Sequence, residues 1–295
     1  MKNYIIVTGG AGFVGSNLID SFLKKTKYRI ISIDDYSSGK KKNHVRDNRV
    51  TYIKGNTKNI SQLINSKKKK INAIFHFGEF SRIYQSFLNM DKCIDSNTVG
   101  SHAVFNFCLN NRIKLIYSAT SASLGNKGRD KDLSPYAFTK SINLELLENL
   151  KKWFKMKYEI IYFYNVYGPN QISKGKMATV IGIFEDVYSN KKPLPVVRPG
   201  TQSRKFTHIN DTVKVCFDAW KRNKCRHYSI SSKKDYTILE VAKLFGSKIK
   251  ILPTRKGERY ASALTSMNLS NKVHKIFGKT ELTSYIESFK KSLKK

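Results

Sequence analysis

The sequence predicts an α/β protein that has a doubly wound parallel sheet and a smaller C-terminal lobe. Short apolar runs alternate with helical patterns through the first 165 residues, and strands that alternate with helices pair in parallel. A glycine-rich turn joins the first strand to the first helix. The 295 residues, of which 40% are hydrophobic, are enough for a large core and exclude a disordered chain or a disulfide scaffold.

The elements follow from these runs in chain order. Strands are predicted at Tyr4–Thr8, Arg29–Asp34, Ile71–Phe77, Ile113–Ser118 and Glu159–Tyr164. Helices are predicted at Phe13–Lys25, Ser96–Leu109 and Tyr136–Lys155. The regular order ends after Gly168 and Pro169, so we expect a first domain over residues 1–165 and a lobe formed mainly by 166–295. A segment near 206–232 is expected to return to the first domain.

The charge balance is strongly basic, with 55 Lys and Arg against 21 Asp and Glu and a net charge of +34. Lysine supplies 43 of the 55 cations, and the lysines are scattered apart from short runs such as Lys67–Lys70. Proteins that bind the phosphates and bases of nucleic acids tend to use arginine, whose planar guanidinium donates two parallel hydrogen bonds. We therefore interpret the charge as a solvated surface, whose field would attract a small anionic substrate, and expect no nucleic-acid partner.

The cysteines and the apolar runs bear on location and on metals. The four cysteines form no C-x-x-C pair, so no metal site is expected, and their scatter is typical of reduced intracellular thiols. The apolar run at the N-terminus is too short for a signal peptide, and no run reaches the ~18 residues of a membrane span. We expect a cytoplasmic protein with no membrane partner.

The glycine-rich turn predicts a dinucleotide site of the Rossmann type. Gly9 permits a tight turn, Gly12 permits close approach of a pyrophosphate, and Gly15 permits close packing of helix on strand. Phe13 and Val14, between these glycines, open the helix whose N-terminus would receive the phosphates.

The next strand ends with Asp34, 19 residues after Gly15, where an acid would bind the adenosine ribose. A carboxylate at this place repels a 2′-phosphate. The predicted cofactor is therefore NAD rather than NADP.

A second motif, Tyr136-Ala137-Phe138-Thr139-Lys140, predicts acid–base chemistry. Tyr136 and Lys140 lie four residues apart at a helix start and therefore share a face. A nearby ammonium stabilises a phenolate and lowers the pKa of the tyrosine from its ordinary value near 10. Thr120 follows the preceding strand and is placed to share a proton with the phenol.

Together these motifs and Asn165–Pro169 resemble the extended short-chain dehydrogenase/reductase family, in particular its NAD-dependent nucleotide-sugar epimerases and dehydratases. The resemblance implies that Tyr136, Lys140 and Thr120 are catalytic and that Lys140 also holds the nicotinamide ribose. It implies that Arg204 and Arg255 grip the diphosphate of a nucleotide sugar, that Asn165 hydrogen-bonds the sugar or diphosphate, and that Ser81 is a polar substrate contact. It also implies a homodimer formed through helices that include the Tyr136 helix.

The reaction is predicted from the residues that come after Thr120. The family's 4,6-dehydratases carry an acid there, whereas this chain has Ser121-Ala122-Ser123, so elimination has no obvious acid. We therefore favour epimerisation at C4 through a transient keto sugar, with the nucleotide-sugar dehydratases and reductases kept as alternatives.

Two further alternatives stay open. The stretch around Tyr167, with Lys174 after it, resembles ADP-heptose 6-epimerases, in which Lys174 would be a second acid/base. Those enzymes generally use NADP, which Asp34 disfavours. A non-enzymatic NAD-binding or RNA-associated scaffold is the other alternative.

One segment departs from the family pattern, because Glu79 and Arg82 replace its usual small residues near the nicotinamide end. Glu79 is interpreted either as a second base or as an ion-pair partner of Arg82. His76 and His208 are interpreted as structural.

Overall fold

The structure is a computed structural model of the 295-residue chain. It describes residues 4–64, 70–122, 131–254 and 273–294.

The predicted strands assemble into one large sheet in which every neighbouring pair is parallel. Its eight strands are β1 Tyr4–Thr8, β2 Arg29–Asp34, β3 Val50–Lys54, β4 Ile71–His76, β5 Lys114–Thr120, β6 Tyr158–Phe163, β11 His227–Ser231 and β14 Val273–Phe277. The order across the sheet is β14-β11-β6-β5-β4-β1-β2-β3. The strand order reverses at β1, which lies between β2 and β4, and such a reversal opens a crevice at the carboxyl ends of the strands.

Helices cover both faces of this sheet, so the predicted Rossmann-type α/β fold is confirmed. The helices of the described chain are α1 Phe13–Lys25, α2 Ile60–Leu63, α3 Ile83–Leu88, α4 Met90–Ile94, α5 Ser101–Asn110, α6 Pro135–Phe154, α7 Val180–Ser189, α8 Ile209–Lys221, α9 Ile238–Phe245 and α10 Leu282–Ser292. Successive β1 residues point to opposite faces, with Ile6 in the core beneath α5 and α6, and Ile5 and Val7 in the core beneath α1 and α8.

A smaller group of elements lies beyond β6. Its strands pair two by two: β7 Val166–Tyr167 with β10 Thr207–His208, β8 Leu194–Val197 with β13 Ile249–Leu252, and β9 Ser203–Lys205 with β12 Asp235–Thr237. They pack with α7, α9 and α10 around a separate apolar core that includes Phe184 and Phe245. The intervening α8 and β11 belong to the large sheet and its covering layer. The division into domains at residue 165 stays a prediction.

Two strands and one helix differ from the sequence prediction. Strands β3 and β14 were not predicted; they are the two edge strands of the sheet and carry polar side chains at several positions. The helix predicted at Ser96–Leu109 is interrupted, because Asp95–Gly100 forms a wider π-helical turn before α5. Across the described ranges, no helix has the length and apolar character needed to cross a membrane.

Candidate active site

The glycine-rich turn lies between β1 and α1, as predicted, and its shape depends on two glycines. Gly9 has a φ of +71°, and a Cβ there would lie 2.9 Å from the Gly78 backbone nitrogen. A Cβ on Gly15 would lie 2.2 Å from the Gly9 carbonyl oxygen. The Gly12 amide donates to that same oxygen at 3.0 Å and closes the turn. These contacts bring the backbone of the turn close to the start of α1.

The start of α1 fits a dinucleotide phosphate. Gly12 is the N-cap, it supplies no side-chain cap, and the first turn contains no acidic residue. The first amides of a helix have no intrahelical acceptor, so they can bind an anion. Gly9, Gly12, Phe13, Val14 and Gly15 all line one large cavity at the carboxyl edge of the sheet.

Asp34 lines the same cavity at the end of β2. Its two carboxylate oxygens accept backbone N–H groups, Oδ2 from Ala11 at 2.9 Å and Oδ1 from Tyr36 at 2.8 Å. These bonds anchor the carboxylate, and each oxygen keeps a further lone pair for a ribose hydroxyl. Burial raises the pKa of Asp34, whereas the two backbone bonds lower it.

Tyr136 and Thr120 meet in the cavity beyond the turn. Ser134 caps α6 by accepting the Ala137 amide at 3.1 Å, which places Tyr136 in the first helical turn. Thr120 ends β5, and its side chain hydrogen-bonds the Tyr136 phenol. Burial raises the pKa of Tyr136 to about 12, and the bond from Thr120 acts in the opposite direction.

Lys140 lies one turn further along α6 and is 3% exposed. Its ammonium contacts the Glu79 carboxylate, the Ser118 carbonyl oxygen and, at 3.2 Å, the Tyr117 hydroxyl. The ion pair that Glu79 forms is therefore with Lys140. The expected partner Arg82 instead donates through Nε and Nη2 to the Met177 carbonyl oxygen at 3.0 and 2.6 Å, so the predicted Glu79–Arg82 pair is wrong.

A set of groups that the sequence did not reveal surrounds Glu79. Its Oε1 accepts from the Ser101 hydroxyl at 2.8 Å, the Tyr117 hydroxyl at 2.9 Å and the Asn143 amide at 3.4 Å. These residues come from α5, β5 and α6, and no local spacing in the sequence connects them. One feature of the sequence indicated this cluster, which is that an acidic residue, Glu79, stands where the family pattern has a small residue.

Of the four residues predicted to bind the substrate, the three that the structure describes also line this cavity. Ser81, Asn165 and Arg204 all line it, and Arg255 lies outside the described residues. Asn165, with a φ of +35°, donates from its amide to the Lys205 carbonyl oxygen at 2.8 Å. Arg204 donates from Nη1 to the Ser203 carbonyl oxygen at 2.8 Å.

The two histidines and Lys174 each have a structural partner. His76 is fully buried between the Thr8 hydroxyl at 2.7 Å and the Ser101 hydroxyl at 3.0 Å, and burial lowers its pKa to about 4. His208 caps α8 by accepting the Asn210 amide. Lys174 lines the cavity, and its side chain is 72% exposed and pairs with Asp186 at 3.2 Å. Residues 4–64, 70–122, 131–254 and 273–294 contain no cluster of three or more potential metal ligands.

Relatives and solved structures agree with this architecture. The chain is 30% identical over 229 residues to YtcB of Bacillus subtilis, described as an uncharacterized UDP-glucose epimerase, and the match covers 71% of this chain and 70% of the relative. The Thermotoga maritima UDP-glucose 4-epimerase with UDP-glucose superposes with a TM-score of 0.83 at 22% identity, covering 98% of this chain and 99% of that one. For the Thermus thermophilus UDP-glucose 4-epimerase complex with NAD, the TM-score is 0.82 at 18% identity, with 99% of each chain covered.

These likenesses at low identity establish the fold, and the sequence match establishes more. The sequence model of the NAD dependent epimerase/dehydratase family matches residues 5–231, from β1 through β11. That range contains the glycine turn, Asp34, Thr120 and the Tyr136–Lys140 motif within one continuous match. The chain belongs to the NAD-dependent epimerase/dehydratase family.

Proposed function

We propose that this enzyme is an isomerase that uses NAD to epimerise a nucleotide-diphosphate sugar at C4, through a transient keto sugar. The observation that carries the proposal is the buried pair of Thr120 and Tyr136. The pair lies in the cavity into which the glycine turn and Asp34 also open. An ionisable phenol beside a dinucleotide site is the arrangement that oxidation and reduction of a sugar hydroxyl require.

Each residue of the site has a separate task in this reaction. NAD, when bound, supplies the hydride chemistry. Tyr136 in its phenolate form takes the proton of the C4 hydroxyl. It returns the proton after the keto sugar has rotated in the site and presents its other face to the cofactor. Thr120 donates a hydrogen bond to the phenolate oxygen. Lys140 reaches the nicotinamide ribose if it exchanges one of the three contacts that its ammonium makes in the structure.

Substrate positioning is assigned to three polar residues of the cavity wall. Arg204 is proposed to bind the diphosphate and Asn165 and Ser81 the sugar side, since all three line the cavity. The planar guanidinium suits paired phosphate oxygens. Because relatives in the structural comparison bind UDP-glucose, UDP-sugars are the substrates to test first.

The distribution of carboxylates argues against a dehydratase. In the described cavity wall, the acidic residues are Asp34, Asp35, Glu79 and Asp95. Asp34 and Asp35 lie at the adenosine end, Glu79 is paired with Lys140, and Asp95 is paired with Lys58 at 3.2 Å. No carboxyl of the described wall is therefore available beside Thr120 to protonate a leaving hydroxyl.

Isotopic labelling tests the reaction directly. A nucleotide sugar deuterated at C4 should turn over more slowly than the unlabelled sugar, whereas deuterium at C6 should have no effect. Lys174→Met should retain nearly full activity, because the Lys174 side chain, although it lines the cavity, is exposed and paired with Asp186. A rate effect at C6 together with an inactive Lys174→Met variant would replace the C4 assignment by a 6-epimerase.

Cofactor preference is expected to depend on Asp34. Replacing Asp34 by alanine or asparagine should raise the Kd for NAD about tenfold or more, since a charged hydrogen-bond acceptor is lost. The ratio of the Kd for NAD to the Kd for NADP should therefore rise, which means a weaker preference for NAD. Because burial raises the pKa of Asp34, acidic pH should weaken NAD binding by protonating the acceptor. Titration of each variant with both cofactors decides, and tighter NADP binding by the unmodified protein would contradict the proposal.

We further propose a homodimer formed through α6 and the neighbouring helical segment. Phe138 and Ile142 on α6, and Ile94 and Val99 beside it, are exposed apolar side chains on packed neighbours. Ile142→Glu should then halve the mass measured by light scattering, whereas Ile251→Glu, on an exposed site of the smaller lobe, should leave it unchanged. Equal masses for both variants and the unmodified protein would exclude this interface.

A cytoplasmic location also stays a proposal. All four cysteines are free thiols, which agrees with a reducing compartment.

A further inference from the structure

We propose that the sugar of the substrate is a hexuronate, whose carboxylate binds to Arg82. The inference rests on the proposed function and names the class of sugar for the same site. Three structural facts support it. Neutral groups hold the Arg82 guanidinium, the segment that carries Arg82 lies beside Tyr136, and a second cation, Lys176, is next to the residue that anchors Arg82.

Arg82 lines the cavity, and in the described chain its guanidinium is held by neutral acceptors. Nε and Nη2 donate to the Met177 carbonyl oxygen at 3.0 and 2.6 Å. Nη1 donates to the Ser81 carbonyl oxygen at 2.9 Å and to the Ser81 hydroxyl at 3.4 Å. These bonds fix the plane of the guanidinium, and none of the acceptors cancels its positive charge.

The same bonds leave a donor of Arg82 for a ligand. A guanidinium carries five N–H groups, two of them on Nη2. Nη2 makes one bond in the described chain, and it shares that acceptor with Nε. The acceptor therefore lies on the edge between Nε and Nη2, and the second N–H of Nη2 points along the edge that Nη2 shares with Nη1. A guanidinium edge of this kind suits the two oxygens of a carboxylate.

The segment that carries Arg82 lies beside Tyr136. Phe80 and Ile83, on either side of Arg82, pack against the apolar cluster that contains Tyr136. The Ser86 hydroxyl, one helical turn after Arg82, accepts the Tyr136 amide at 3.2 Å. The segment therefore borders the part of the cavity in which the reacting carbon of the sugar must lie.

The order of groups in a nucleotide sugar indicates what this cation meets. The diphosphate, assigned above to Arg204, is attached at C1, and C4 lies across the ring from C1. The carbon next to C4 is C5, whose substituent is a neutral hydroxymethyl in a hexose and a carboxylate in a hexuronate. A partly buried guanidinium that has only neutral partners is matched by the carboxylate.

Lys176 adds a second positive charge at this place. It precedes Met177, whose carbonyl oxygen binds Arg82, and it lines the same cavity. Glu79, the acid of the described wall that is nearest to Arg82 in the chain, is paired with Lys140. The wall around Arg82 and Lys176 therefore has a surplus of positive charge, which suits an anion in addition to the diphosphate.

The test compares two substrates that differ only at C5, UDP-glucuronate and UDP-glucose, at saturating NAD. The kcat/KM of the unmodified protein should be about tenfold or more higher for UDP-glucuronate, and Arg82→Met should lower the ratio of the two values about tenfold to a hundredfold, because a hydrogen bond to a charged group is lost. Lys176→Met should lower the ratio by a smaller factor, since Lys176 is exposed.

Two controls make the test specific. Arg82→Lys keeps the charge but loses the paired N–H groups, so it should lower the ratio less than Arg82→Met does. Lys40→Met also removes one cation from the cavity wall, at the turn, where the Lys40 amide donates to the Ala11 carbonyl oxygen at 3.0 Å. This variant should leave the ratio unchanged.

A binding measurement separates this inference from the proposed function. In the Tyr136→Phe variant loaded with NAD, the Kd should be lower for UDP-glucuronate than for UDP-glucose, and adding Arg82→Met should remove the difference. If this preference is found but the unmodified protein does not interconvert C4 epimers, the proposed function fails and the hexuronate assignment stands.

Three outcomes would overturn the inference. The first is equal or better use of UDP-glucose by the unmodified protein, a result that does not depend on the folding of any variant. The second is an equal loss of kcat/KM for both sugars in Arg82→Met, which would make Arg82 a support of the Met177 segment or a ligand of the diphosphate. The third is an equally large fall of the ratio in Lys40→Met, which would indicate a general effect of charge.

Discussion

Replacing Tyr136 by phenylalanine is expected to lower kcat by about 10²–10⁴, the usual contribution of a positioned base. The change removes only the hydroxyl, so the ring keeps its packing against Ala137 and Cys93. Turnover should be followed by NMR of the two epimers, and NAD binding by titration. The Kd for NAD should change little, because the turn and Asp34 are untouched.

A matched control is available in the same sheet. Tyr158 is also buried, but it begins β6, at the edge opposite the cavity. Tyr158→Phe removes one buried hydroxyl and should leave kcat within a few-fold of the unmodified enzyme. If Tyr136→Phe and Tyr158→Phe turned over equally well, Tyr136 would not be the base.

Replacing Thr120 by valine is expected to have the second largest effect, a loss of about tenfold to a hundredfold in kcat. Valine keeps the shape of threonine but cannot hydrogen-bond the phenolate, and a bond to a charged group contributes about 1.5–3 kcal/mol. Thr120 lowers the pKa of Tyr136, so its loss raises that pKa. The loss of kcat should therefore be largest at low pH. It should shrink as the pH rises through the range in which Tyr136 loses its proton.

Thr120→Ser provides the control, since it retains the hydroxyl at the end of β5. Its kcat should stay within a few-fold of the unmodified enzyme across the pH range. A serine variant as slow as the valine variant would indicate that Thr120 acts by packing, and an unimpaired valine variant would remove Thr120 from the mechanism.

Local patterns in the sequence were sufficient to determine much of this protein. The turn from Gly9 to Gly15 and the acid Asp34 could be predicted because strand, turn and helix follow one another in the chain, and the chemistry of each residue type suits its place. The Tyr136–Lys140 motif was recognisable for the same reason, since helical spacing alone places the two residues on one face. The helix itself begins at Pro135, one residue before its predicted start.

Edge strands were less accessible to the same reasoning. Strand β14 carries His274 and Lys275 on exposed positions, so its apolar alternation is weak. It joins the sheet only through its pairing with β11, about forty residues earlier in the chain. A strand of this kind is stabilised by its neighbour rather than by its own composition, so local patterns do not reveal it.

The tertiary structure alone decided which charges meet. Glu79 and Arg82 are three residues apart, and sequence proximity suggested that they pair. Folding instead brings Glu79 beneath Lys140, which is 61 residues later, and turns Arg82 toward the Met177 carbonyl oxygen, 95 residues later. Burial is the physical reason: a carboxylate and an ammonium removed from water require each other, whereas the partly buried guanidinium of Arg82 is held by neutral oxygens.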